Sequence, residues 1–194
     1  MPLWIMIFLF ALPNAAAIYF YLNRDSINLG ETTNFGTLIS PVRQLEEISL
    51  KKLDGSDFKL SSMHKKWIMV SIGSSSCEQS CQENLYKMRQ IRKAAPEGFA
   101  RITRVFFLTD QNDMESFNSL LKDYQGMEVI LPEGNPADSY KDFLNNFSVA
   151  GEKVEDGIYI IDPLGNYMMA YPPNAEAKGI LKDMERLLKI SQIG

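Results

Sequence analysis

The chain opens on an almost unbroken apolar run, Leu3–Leu22, interrupted by Pro13 and Asn14. About 20 helical residues span the hydrocarbon core of a bilayer, and Trp4 at one end with Tyr19 and Tyr21 at the other suits the two interfaces. A polar stretch follows, rich in Asn, Thr, Gly and Ser, and residues 23–44 are expected to form an extended tether. From residue 45 onward short apolar runs alternate with amphipathic segments. Residues 47–51 and 57–60 flank Leu53-Asp54-Gly55-Ser56 and predict a β-hairpin through its Asp-Gly pair. Residues 67–72 predict a buried strand, and 77–94 carry Cys81, Leu85, Met88 and Ile91 at helical spacing. Ile102–Leu108 and Met127–Leu131 read as further strands. Between them 113–124 sets Met114, Phe117, Leu120, Leu121 and Tyr124 on one helical face, with Asn112 as the expected cap. Asn135-Pro136 opens another helix, with Pro in the first helical position and Tyr140, Phe143, Leu144 and Phe147 inward. Ile158–Ile161 and 167–171 form a closing hairpin around Asp162-Pro163-Leu164-Gly165-Asn166. Asn174 is the expected cap of a last helix that buries Ile180, Leu181, Met184, Leu187 and Leu188. Strands alternating with helices predict an α/β fold, a mixed sheet covered on both faces. The expected organisation is an anchor over 1–22, a tether over 23–44 and one domain over 45–194.

Charge sharpens the first of these. None of the 20 basic and 24 acidic residues precedes Arg24. A cleaved secretory signal is the competing reading: 3–12 has the length of a signal's apolar region, and Asn14-Ala15-Ala16-Ala17 offers small residues for cleavage. Apolar character resumes at 18–22, however, and a basic N-terminal region is missing, so an uncleaved transmembrane anchor is expected. Either way the domain lies on the far, periplasmic side, where disulfides persist. The positive-inside rule gives no help, because the N-terminal flank has no Lys or Arg. A net charge of −4 and a pI near 5.1 argue against a nucleic-acid partner.

The candidate chemistry sits in five residues, Cys77-Glu78-Gln79-Ser80-Cys81, which hold both cysteines of the chain. They follow the 67–72 strand and precede a helix. Ser74, Ser75 and Ser76 are good N-cap residues, and Ser76-Cys77-Glu78-Gln79 fits a capping box. The cysteines are thus expected in the first helical turns, where free N–H groups and the helix dipole favour a thiolate. A spacing of i, i+4 sets both sulfurs on one face at a Cα separation of roughly 6 Å, which a disulfide bridges. Glu78 disfavours the thiolate and partly opposes the dipole. Strand, loop, paired cysteines and helix form a layout suited to dithiol redox chemistry or to a soft metal. A purely structural disulfide or two buried thiols are the plainer alternatives.

The ensemble resembles the Sco (SenC/PrrC) family of membrane-anchored, thioredoxin-fold proteins that help assemble cytochrome c oxidase. The resemblance rests on the anchor and on Asn34-Phe35-Gly36-Thr37-Leu38, similar to the family's Asn-Tyr-Gly-x-Leu. It rests also on the hairpin at Asp54-Gly55, the strand leading to Cys77-x-x-x-Cys81, and Ile158-Tyr159-Ile160-Ile161-Asp162-Pro163-x-Gly165. It implies a thioredoxin-like sheet of the Sco/peroxiredoxin type, with an inserted helix. It further implies that Cys77 and Cys81 are the redox and copper-ligating residues, with Cu(I) as the metal. The implied partner is a protein with paired cysteines, such as the oxidase copper subunit.

One family feature is missing. The family completes its copper site with a His shortly before the strand equivalent to Ile158–Ile161, and here 151–157 reads Gly-Glu-Lys-Val-Glu-Asp-Gly. The lone histidine, His64, stands among lysines on an expected solvated turn, where a cation is disfavoured. Met168 and Met169 are thioether candidates, although in a regular strand only one of them faces a given side. Two thiolates still suit Cu(I). Three readings follow: a thiol–disulfide oxidoreductase acting in oxidase assembly, a Cu(I) carrier, and a non-catalytic module whose cysteines staple the helix start. Peroxidase chemistry is weaker, since the Ser-rich loop before Cys77 lacks the Pro and Thr that peroxiredoxins use.

Overall fold

The computed structural model describes residues 3–23, 33–95, 98–132, 137–149 and 154–191. The chain divides into two units, Met1–Thr33 and Asn34–Gly194. In the first, helix α1 (Leu3–Leu22) is long and apolar enough to cross a bilayer, with a mean hydropathy of 1.9 over Trp4–Leu22. Pro13 lies inside it and has no N–H to give. The adjacent Asn14 folds its side-chain amide onto the Phe10 carbonyl at 2.8 Å. The Asn14 amide is thereby satisfied within the helix, as a water-free environment requires.

The second unit is built on eight strands: β1 (Thr37–Gln44), β2 (Ser49–Lys52), β3 (Asp57–Lys59), β4 (Trp67–Gly73), β5 (Ile102–Leu108), β6 (Met127–Leu131), β7 (Ile158–Ile161) and β8 (Asn166–Tyr171). Their order across the sheet is β1-β8-β7-β4-β5-β6-β2-β3. The central trio β4, β5 and β6 runs parallel, and the outer strands pair antiparallel. Parallel neighbours need crossover helices, and the chain supplies α2 (Gln79–Ala94), the short α3 (Gly98–Arg101) and α4 (Met114–Leu121). Helices α5 (Ala137–Asn145) and α6 (Ala177–Ile190) complete the set. All seven residues of β4 are buried, the pattern of a strand covered on both faces.

The core has a layer on each face of the sheet. Under α5, Phe107, Phe143, Phe147, Tyr159 and Tyr167 interlock, with Phe147 and Tyr167 centroids 5.1 Å apart. Under α2 and α6, Met88, Ile91, Ile180 and Met184 pack on Met69, Ile160 and Met169. A third cluster joins Cys77, Cys81, Leu85, Phe106, Leu108 and Phe117.

The structure redraws several expected boundaries. The stretch 37–44, expected in the tether, is strand β1 on β8. Its apolar signal is weak because Ile39 is its one buried side chain. Just before it, the main-chain N–H groups of Phe35 and Gly36 donate to Asp183 Oδ2 at 2.8 and 3.0 Å, and the Tyr171 hydroxyl adds a third bond at 3.0 Å. Phe35 lies where a side chain on Gly179 would stand, its Cγ 2.8 Å from that Cβ position. The Asn34-Phe35-Gly36 segment is therefore pinned to α6. Helix caps also shift: Asp113, not Asn112, caps α4 by accepting from the Ser116 N–H, and α6 begins after Glu176 with no side-chain cap from Asn174. Residues 24–32 of the tether, Asn135-Pro136 and 151–153 lie outside the described residues.

Candidate redox site

Strand β4 ends at Gly73, and the chain turns through Ser74, Ser75 and Ser76 before entering α2. The capping box expected at Ser76 does not form. Glu78 occupies the N-cap position without a side-chain bond, while the Ser76 hydroxyl pairs with that of Ser74 at 2.6 Å. Cys77 thus lies outside the helix, with φ +37°, a left-handed conformation that is costly for a side-chain-bearing residue. That turn folds it back onto Cys81, the third residue of α2. The two form a disulfide with a Cα separation of 5.1 Å. Only Cys81 lies in the helical first turn, where the dipole acts. The Cys77 carbonyl accepts from the Gln82 side chain at 3.0 Å, holding the turn closed.

Both cysteines are buried, at 1% and 2% exposure, against Leu85, Phe106, Leu108 and Phe117. Around this apolar seat the loops are cross-tied by polar groups. The buried Ser75 hydroxyl donates to Asp110 Oδ1 at 2.6 Å and accepts from the Asp113 N–H at 2.9 Å. Burial works against the charge of Asp110. Bonds from the Ser75 hydroxyl and from the Asn112 and Ser75 N–H groups outweigh it, and the carboxyl titrates below its ordinary range.

On the other side stands Asp156, also left-handed at φ +62°. Its N–H donates to the Ile72 carbonyl at 2.9 Å, its Oδ2 accepts from the Ser80 hydroxyl at 2.6 Å, and its carbonyl accepts from the Asn84 amide. Asp156 Oδ1 and Cys81 Sγ each lie 3.7 Å from the position that a Cβ on Gly73 would occupy. The segment before β7 therefore brings a carboxylate, and no imidazole, to the neighbourhood of Cys81. Sequence pattern does not mark Asp156, because an imidazole is the expected donor there; the Asp-Gly pair before β7 is its one signal. Next to it a cavity of about 340 Å³ opens between Glu155, Asp156, Tyr159, Tyr171, Pro172 and Pro173.

The other ligand candidates lie elsewhere. His64 packs against Gly165, 3.1 Å from its Cβ position, at the start of β4. The cysteines follow the far end of that strand, whose seven residues span roughly 20 Å. Met168 is the extra residue of a bulge in β8, since Ile160 pairs with Met169 and Ile161 with Tyr167. The bulge brings both methionines to the α2/α6 core, against the strict alternation expected of a strand. Met169 is buried there, its Sδ 2.9 Å from the Tyr171 hydroxyl oxygen, and both methionines pack as core. Among the described residues no group of three His, Cys, Asp or Glu side chains could hold a metal.

A mixed sheet flanked by helices, with a cysteine pair at the β4–α2 junction, defines a thioredoxin-like protein. Residues 67–191 match the family model described as transmembrane-like, thioredoxin-like, C-terminal domain, and the chain belongs to that family. No curated protein matches it. Its structural neighbours include several Sco1/SenC family proteins. A SCO1/SenC family lipoprotein from Bacillus anthracis superposes with a TM-score of 0.59 at 20% identity, covering 77% of this chain and 99% of its own. Yeast Sco1 with copper bound gives 0.62 at 15% identity, with 77% and 90% covered. BsSco, described by a disulfide switch and as a member of the Sco family of cytochrome c oxidase assembly proteins, gives 0.58 at 16%, with 78% and 96% covered. At these identities the likeness is one of fold.

Proposed function

We propose that the chain is a membrane-anchored thiol–disulfide exchange protein whose Cys77/Cys81 pair acts on a cysteine-paired client during assembly of the cytochrome c oxidase copper site. The observation that carries this reading is the Cys77–Cys81 disulfide at the β4–α2 junction. In the reduced protein one thiolate attacks the client's disulfide, giving a mixed disulfide and releasing one client thiolate. The second cysteine then attacks the protein-side sulfur and releases the other. Two electrons pass to the client, and the Cys77–Cys81 bond closes. A dithiol reductant outside the cytoplasm resets the pair. The domain works on the periplasmic side, tethered by α1, where such a bond persists.

Magnitude weighs against a mere staple. A bridge over a sequence separation of 4 removes little chain entropy, about 2 kcal/mol. The left-handed Cys77 offsets part of even that.

The second reading, Cu(I) carriage, draws on the likeness to copper-bound yeast Sco1. Copper would be cargo here. Two thiolates suit Cu(I), whereas the neighbouring Asp156 carboxylate is a hard donor that suits it poorly. Anaerobic addition of Cu(I) to the reduced full chain, run beside exchange with a disulfide-bonded client peptide, separates the two. Rapid exchange that is lost in Cys77→Ser, with only modest copper uptake, supports the exchange reading. Stoichiometric, tight uptake without exchange overturns it in favour of carriage.

A further inference from the structure

We infer that the basic cleft at the C-terminal end of α2 is a binding site for a phosphate group. The cleft, of about 590 Å³, collects Arg89, Arg92 and Lys93 from α2, Arg104 from β5, and Lys122 beyond α4, with Asp123 the one acid lining it among the described residues. It lies at the end of α2 remote from the disulfide, in a chain whose net charge is −4.

The feature that points to a ligand is Arg104. Its side chain is 3% exposed and makes one hydrogen bond, Nη2 to the Gln125 carbonyl at 2.6 Å. Its Nε and Nη1 are buried without a partner among the described residues. Above Gly126, Arg104 Nη2 and Arg92 Nη1 converge, 3.9 and 3.5 Å from the same Cβ position. Arg89 closes the side of the cleft: it stacks 4.9 Å over the Tyr124 ring and donates to the Asp123 carbonyl at 2.9 Å.

Like charges so gathered repel one another. Burial, and then Arg92 and Arg89, lower the Arg104 pKa to about 10, which leaves the group charged at neutral pH. A buried charge is costly unless something pairs with it. The negative end of the α2 dipole accounts for Arg92 and Lys93 in the last turn. It does not account for Arg104, the third residue of β5. Converging guanidinium forks match the oxygens of a phosphate, each fork pairing two of them. The volume exceeds that of a bare phosphate and falls in the range of small-molecule pockets. The group is therefore carried on a larger body, either a soluble phosphate ester or an anionic lipid headgroup.

The test uses the full chain in lipid nanodiscs, with hydrogen exchange of the β5 start and of residues 122–127 as readout. Inorganic pyrophosphate added to phosphatidylcholine discs probes the soluble source, with chloride at equal ionic strength as control. Discs doped with phosphatidylglycerol probe the headgroup. Slowed exchange in either arm is the expected result, and the arm that responds identifies the source. Arg104→Lys keeps the charge but loses the fork, and should weaken the response roughly tenfold. Should it misfold by near-UV circular dichroism, Arg92→Gln at the half-buried rim takes its place. No protection in either arm, or protection unchanged in both variants, overturns the proposal.

Discussion

Asp156 is a charged group that the fold brings to the neighbourhood of the redox site. Its Oδ1 and Cys81 Sγ face the same point above Gly73, each 3.7 Å from it, while Ser80 and Asn84 fix its loop. Negative charge there opposes a thiolate. Asp156→Asn keeps an acceptor for the Ser80 hydroxyl and removes the charge. The reduced variant should alkylate with iodoacetamide several-fold faster than the parent at neutral pH, and equal rates would show that the carboxylate does not act on the thiols. Asp156→His goes further, because it brings an imidazole to the neighbourhood of the cysteine pair. Imidazole supports the oxidised ion, so the reduced variant should hold Cu(II) with a thiolate charge-transfer band, whereas the parent consumes Cu(II) in closing Cys77–Cys81. The same band in the parent would mean that another residue completes a copper site.

At the scale of elements, the second unit depends on how its N-terminal segment and its loops are tied down. Asp183 accepts three hydrogen bonds, from Phe35, Gly36 and Tyr171, the last two buried. Asp183→Ala strands those donors and should cost about 2–4 kcal/mol in urea unfolding; a loss below the error of the fit would contradict the pinning of Asn34-Phe35-Gly36 to α6. Asp110 gives a pH dependence of definite sign. Its folded pKa is depressed, so its contribution is present above the ordinary aspartate value and fades as pH falls through the folded one. Asp110→Asn should flatten the acid limb of a stability curve, leaving the neutral limb alone. The strands β4 to β7 were legible because their apolar runs are strong and flanked by turns. Strand β1 was not: Ile39 is its one buried residue, and its pairing with β8 shifts register between Leu38 and Arg43. Helix starts were misplaced for a related reason. Caps depend on backbone dihedrals such as that of Cys77, which residue types alone do not encode.

For the whole molecule, one apolar helix and one thioredoxin-like domain fit the proposed reading of a tethered exchange protein. The cysteine pair, its strand and its helix were visible in the sequence, while Asp156 and Arg104 acquire meaning only once the fold brings distant loops together. The tether reading expects the full chain in the membrane fraction, with its N-terminus intact by mass spectrometry. A soluble periplasmic form starting near Ile18 would show that the apolar run is cleaved. The central claim is that the Cys77–Cys81 bond opens and closes in use. Mass spectrometry of the full chain equilibrated across a glutathione redox series tests it most directly. A two-proton mass step within the physiological range, absent in Cys81→Ser, is the expected result. A bond that no physiological reductant opens, or a pair that stays reduced under oxidising conditions, would contradict it.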